Sequence, residues 1–194
     1  MKITVSDMQN LYKVERRPLR QAVQRTIRYE KASRQSEVTI ALVDDETIAR
    51  LNMSYRGKDC STDVLSFNLT ESDHPELKDY LGDIVISVET AAKQAEESGH
   101  SLVREIEMLL IHGTLHLLGY DDQTACDRKV MMKKQAAIIS RLAVDTDGLD
   151  KPQAEIRTEQ EQGPAGRVTT ASRCSKEKGR HKKEKSRDAQ QETS

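Results

Sequence analysis

His112 and His116 stand four residues apart in the run His112-Gly113-Thr114-Leu115-His116-Leu117-Leu118-Gly119-Tyr120-Asp121-Asp122. On a helix that spacing puts both imidazoles on one face, near enough to share an ion. The pair alone is a weak signal, because two histidines at this spacing also occur by chance. Gly119 gives it weight: a glycine there can end the helix in a left-handed turn and bring the following residues back over its C-terminal end. Asp121 and Asp122 both follow that turn. A carboxylate from either completes a three-ligand site with one position left for water, the arrangement of catalytic zinc and of Lewis-acid hydrolysis. Gly113 narrows the reaction. In peptidases of the HExxH type that position carries the glutamate base, so a base must come from elsewhere, or a nearby cation and the substrate's own phosphate must assist.

The elements that must position these residues can be read from periodicity. Lys2 to Ser6 alternates polar and apolar residues and Glu37 to Val43 is short and β-branched, so both are expected as strands. Between them, Leu19, Val23 and Ile27 form a helical stripe over Pro18 to Tyr29, with the proline suited to a first turn. Asp44 or Asp45 can cap a second helix reaching about Tyr55. Thr62 to Phe67 and Asp83 to Val88 read as two further strands joined by a polar loop containing Pro75. Glu89 to Ser98 is helix-prone and stops at Gly99. Ser101 begins the histidine-bearing helix, with Glu105 near its start, and a last helix runs from about Thr124 to Val144. The expected architecture is an α/β (α+β) domain with one roughly four-stranded mixed sheet packed with about five helices.

Composition places that domain in the first three-quarters of the chain. Of 194 residues, 36% are hydrophobic, 3% aromatic and 32% charged, too few apolar residues for a core spread over the whole length. They crowd before Val144. From Asp145 to Ser194 the large apolar residues are essentially Leu149, Ile156 and Val168, so residues 1–144 are expected to fold and 145–194 to form a disordered tail. Between Arg173 and Asp188 the tail is rich in lysine and arginine, which makes it either a solvated appendage or a salt-sensitive phosphate tether. A net charge of −1 argues against a uniformly basic nucleic-acid binder. Three cysteines, Cys60, Cys126 and Cys174, lack CxxC spacing, so neither a disulfide framework nor a cysteine zinc site is expected. No membrane span or secretory signal is recognisable, and a cytoplasmic location is expected.

The run from His112 through Asp121 resembles the hallmark of the YbeY-type endoribonucleases, also described as rRNA maturation factors: His-Gly-x-Leu-His-Leu-x-Gly-Tyr-Asp-His. The segment Tyr55 to Phe67, followed by Leu81-Gly82-Asp83-Ile84, is similar to a second family pattern. The resemblance covers roughly Met1 to Val144 and leaves the tail outside. It implies an α/β domain with one zinc site, acting in the cytoplasm on single-stranded RNA. Its implied roles are 16S rRNA 3′-end maturation and ribosome quality control, with the small ribosomal subunit as partner. By motif, His112 and His116 would be two ligands of a divalent ion, and Asp122 stands where the family has its last histidine. A carboxylate there adds negative charge, which weakens the ion as a Lewis acid and favours harder cations, although carboxylates are ordinary zinc ligands. Asp121 matches the residue before the ligand and is expected to orient a neighbour or cap the turn.

Arg56 matches the arginine that the family turns toward its cleft. Its guanidinium could clamp a phosphate and stabilise charge developing in a phosphoryl transition state, which makes it the catalytic candidate. Arg56 and Lys58 are the substrate-binding candidates, while Asp59, Thr62, Asp63 and Ser66 are expected to play structural parts. Ser61 and Asn68 replace prolines common in the family. His74, His100 and His181 are expected at the surface, Cys126 as a small core residue, and Met131 and Met132 as packing on the last helix. Two alternatives share the ligand helix: a metal-dependent amidase or peptidase, which needs a carboxylate base, and a ribosome-assembly factor whose metal is structural.

Overall fold

A computed structural model describes residues 1–68 and 79–143. The Pro75 loop, His74, and the tail with Cys174 and His181 lie outside the described residues. Strand β1 (Lys2–Asp7), helix α1 (Arg16–Tyr29), β2 (Glu37–Val43), α2 (Asp45–Arg56), β3 (Val64–Asn68), β4 (Tyr80–Ser87), α3 (Val88–Ser98), α4 (Leu102–Leu117) and α5 (Ala125–Ala143) follow one another along the chain. The four strands form one sheet in the order β1-β2-β4-β3. β2 runs parallel to both β1 and β4, and β3 is antiparallel to β4 at the edge. This is the mixed sheet and five-helix content expected from the sequence.

Both faces of the sheet are covered. On one, α1 contributes Leu19, Val23 and Ile27 and α4 contributes Ile106, Leu110, Ile111 and Leu115, all packed with Ile40, Ile84 and Ile86. On the other, Ile48 of α2 packs with Val43, Leu65 and Val85. Helix α4 is buried on nearly every side, and each of its fully buried leucines and isoleucines contributes roughly 1.5–3 kcal/mol. The helix that carries the histidines is thus firmly held by the core.

The caps follow the chemistry read from the sequence. Asp44 accepts the Thr47 amide at 2.8 Å, Gly99 closes α3 in the left-handed conformation, and Ser101 accepts the Arg104 amide to open α4. Ser87 accepts the Thr90 amide at 3.1 Å, so the chain turns from strand to helix one residue earlier than expected. Val88 is apolar because it is buried as the first residue of α3. Likewise β3 begins at Val64, whose amide is taken by the Asp63 carboxylate at 2.8 Å.

Gly82 has φ +136°, and a Cβ there would sit 2.0 Å from the Phe67 carbonyl oxygen. Because that contact is with backbone, it cannot be relieved by a rotamer change. Gly82→Ala is expected to destabilise the fold by about 2 kcal/mol or more, read as a lower denaturation midpoint in urea.

Three expectations about α5 and its surroundings are corrected. Met131 is 1% exposed but Met132 is 63% exposed, because neighbouring residues on a helix cannot share one face. Cys126 is exposed rather than in the core, since the first turns of α5 stand clear of the body and burial starts only at Met131. His100 is largely buried and its Nε2 lies 3.1 Å from the Glu105 carboxylate.

Candidate metal centre

The last turn of α4 presents His112 and His116 on one side. Gly119 takes φ +89°, and the Tyr120 amide returns to the Leu115 carbonyl at 3.0 Å, so the chain folds back as its glycine predicts. That return carries Asp122 over the histidines. One ligand atom each from His112, His116 and Asp122 fall within 4.8 Å of one another, and all three residues are half-buried. Asp121 is not in the group: its carboxylate accepts the Asp122 amide at 2.7 Å, the turn-capping part expected of it. Arg128 donates from its guanidinium to the Asp122 carbonyl at 3.0 and 3.2 Å, tying the start of α5 to the same turn.

The donor chemistry of the pair fits a cation. His116 donates through Nδ1–H to the Tyr120 carbonyl at 2.9 Å. His112 donates through Nδ1–H to the Gln135 side-chain oxygen at 3.3 Å. Both Nε2 atoms are then lone-pair donors, and they face each other 3.1 Å apart. Two such lone pairs repel unless a proton or cation lies between them. Two nitrogens bound tetrahedrally to one zinc would stand about 3.3 Å apart, from Zn–N distances of about 2.0–2.1 Å. Burial, with His112 adding to it, holds the His116 imidazole below its ordinary pKa against the opposing pull of Asp122. It is therefore neutral near pH 7, the state in which imidazole ligates metal.

A second layer holds this geometry. Tyr120, whose carbonyl orients His116, donates its hydroxyl to Glu30 at 2.7 Å. Lys134 donates to both oxygens of Glu30 at 2.8 and 2.9 Å and sits over the Tyr120 ring. Hydrogen bonding to Glu30 raises the Lys134 pKa far above its usual value, so the ammonium stays charged. Gln135, Glu30 and Lys134 were not singled out from the sequence. Gln135 had a readable signal, because Met131, Gln135 and Ile138 recur at helical spacing and put one polar residue on an apolar stripe. Gln135→Leu removes the acceptor that sets the His112 tautomer and is expected to weaken metal affinity roughly 10- to 100-fold, measured by competition with a chromophoric chelator.

Gly113 faces away from the histidines and into the sheet. A Cβ there would meet Ser66 Oγ at 2.9 Å and Ile84 Cγ2 at 3.0 Å, so the residue permits close packing of α4. The position that carries the peptidase glutamate has no room for one. Ser66 and Asn68 of β3 reach the Gly113 and Leu117 carbonyls at 3.4 Å, which lays the edge strand along the ligand helix.

Arg56 ends α2 and, like Lys58 just after it, is exposed. Among the described residues neither side chain has a hydrogen-bond or ion-pair partner, and neither joins the His112, His116 and Asp122 group. They stand at the start of the loop that enters β3, and Tyr55 beside them packs edge-on against Phe67 with ring centroids 4.7 Å apart. Asp63 is structural, accepting from Val64 and from Gln94. No described helix is long and apolar enough to cross a membrane.

Residues 4–143 match the family model for Endoribonuclease YbeY. A protein named Endoribonuclease YbeY from Desulfitobacterium hafniense (strain Y51) is 46% identical over 132 residues, 65% of this chain and 84% of that one. Another of the same name, from Desulforamulus reducens, is 44% identical over 152 residues, 75% of this chain and 99% of that one. The solution structure of TM1509 from Thermotoga maritima superposes with a TM-score of 0.51 at 26% identity, covering 75% of this chain and 91% of that one.

Proposed function

The chain belongs to the YbeY endoribonuclease family, and on that premise we propose that it is a metal-dependent endoribonuclease of single-stranded RNA. The observation that supports this most is the facing pair of imidazole Nε2 atoms, each with its Nδ1 turned to an oxygen acceptor, beside the Asp122 carboxylate. In this reading His112, His116 and Asp122 hold one divalent ion, zinc. When bound, the ion supplies Lewis-acid polarisation of a phosphoryl oxygen and of water. Tyr120 and Gln135 keep the two rings in the ligating tautomer. Arg56 meets the substrate phosphate and offsets charge developing on it, and Lys58 adds attraction for the strand.

We place the protein in the cytoplasm, acting on the 16S rRNA 3′ end and in ribosome quality control, with the small ribosomal subunit as partner. Family membership supports these assignments. The charged, partly basic tail at 145–194, outside the domain of 1–144, serves as a phosphate tether in the same account.

The test is a substrate panel for the full-length, metal-loaded chain, with His116→Ala as a control for contaminating nucleases. Cleavage of single-stranded rRNA fragments, with duplexes and peptides untouched, is expected. Hydrolysis of peptides instead would point to an amidase. A folded, metal-loaded preparation that cuts no RNA yet co-sediments with small subunits would make the metal structural and the protein an assembly factor.

A further inference from the structure

Along the seam between α1 and α5, beyond the metal-bearing turn, Arg28 and Arg141 face a cavity of about 300 Å³ together with Arg25, Tyr29 and Ile138. A second cavity of about 490 Å³ shares Arg28 and adds Arg34, Gln24 and Met1. Among the described residues, no carboxylate lines either of them. Among the described residues, the guanidinium groups of Arg28 and Arg34 have no hydrogen-bond or ion-pair partner. That of Arg141 lies over the Tyr29 ring, 4.8 Å from its centroid, which holds it toward the groove. Like charges gathered in one concave surface repel each other, and an anion placed between them relieves that repulsion.

The groove and the metal centre are supported by the same two helices, α1 and α5. Glu30, next to Tyr29, is the carboxylate that holds Tyr120 and Lys134. On α5, Arg141 lies six residues beyond Gln135, the partner of His112, which is about 9 Å along a helix axis. Glu30 itself is engaged by Lys134 and Tyr120, so its charge is already compensated.

We propose that this groove is a second RNA subsite, in which Arg28, Arg34 and Arg141 hold successive backbone phosphates of the strand that leaves the metal centre. This rests on the endoribonuclease reading and extends it to where the substrate lies. Guanidinium groups suit the task because each presents a planar fork to phosphate oxygens. The contacts are to the backbone, so the subsite contributes affinity without base preference.

The test is the salt dependence of binding of a short fluorescent single-stranded oligoribonucleotide to the full-length, metal-loaded chain, with strand integrity checked on a gel. Each phosphate contact to a single strand contributes about 0.7 to the slope of log affinity against log salt. Arg28→Gln/Arg141→Gln is expected to flatten that slope by about 1.4, while Arg16→Gln/Arg17→Gln, an equal loss of charge at the far end of α1, leaves it within about 0.3. Both pairs are exposed, and circular dichroism checks that both variants fold. Equal slopes for the groove variant and wild type, or equal flattening by both variants, would overturn the subsite while wild-type RNA cleavage left the enzymatic reading intact. A wild-type chain that neither binds nor cleaves RNA would overturn both.

Discussion

Replacing His116 by alanine is expected to remove stoichiometric metal and to lower the rate of RNA cleavage by about 1,000-fold or more, with the fold retained. The size follows from what is lost. A Lewis acid contributes several kcal/mol of transition-state charge stabilisation, and each 1.36 kcal/mol is a factor of ten in rate. Two remaining ligands, His112 and Asp122, do not make the three-ligand set of a catalytic site. The structural cost is small by comparison. His116 is half-buried, and among the described residues the one backbone partner of its ring is the Tyr120 carbonyl, a hydrogen bond worth about 1 kcal/mol. The signature is thus a folded protein, by circular dichroism and urea midpoint, with neither ion nor activity. A His116→Ala protein that keeps both its ion and its turnover would place the chemistry elsewhere.

Arg56→Ala should show the opposite division between stability and rate. The side chain is exposed at the end of α2 and has no partner among the described residues, so its removal is expected to move stability by no more than about 0.5 kcal/mol. Loss of a donor aimed at developing phosphoryl charge costs on the order of 100- to 1,000-fold in kcat. Arg56→Lys separates charge from geometry. An ammonium restores the charge without the planar fork, so recovery is expected to be partial and to appear more in KM than in kcat. Wild-type cleavage by Arg56→Ala would reduce the residue to a surface arginine, and an unfolded variant would contradict its exposed, unpartnered position.

The pairing of His112 with His116, and a carboxylate from Asp121 or Asp122 beyond the turn, was legible in the sequence because it is local, whereas the choice of Asp122 rested on the family resemblance. One helix and one glycine turn span these residues, and i,i+4 spacing together with a left-handed Gly119 are rules of the backbone alone. Asp44, Gly99 and Ser101 were readable for the same reason, as were the four strands, whose alternation or β-branched runs depend only on neighbours. What was not legible depends on distant partners. Helical spacing marks Gln135 as a polar residue on an apolar stripe, but His112 meets it across 23 residues and Glu30 meets Tyr120 across 90, distances over which periodicity names no partner. The order β1-β2-β4-β3 follows from packing between elements. Gly113 shows both sides of this: its position excluded a peptidase base from the sequence, but why glycine stands there needed the contact with Ser66 and Ile84. Cys126 and His100 were misplaced because residue type is a poor guide to burial when a helix lifts off the body or when a buried glutamate is at hand.

The central claim is that these three side chains hold one ion, and elemental analysis of purified full-length protein beside Asp122→Ala tests it most directly. The account predicts one zinc per wild-type chain and loss of stoichiometric metal from the variant at unchanged fold. Full metal content in folded Asp122→Ala, or a wild-type protein that takes up no divalent ion when offered one, would contradict it.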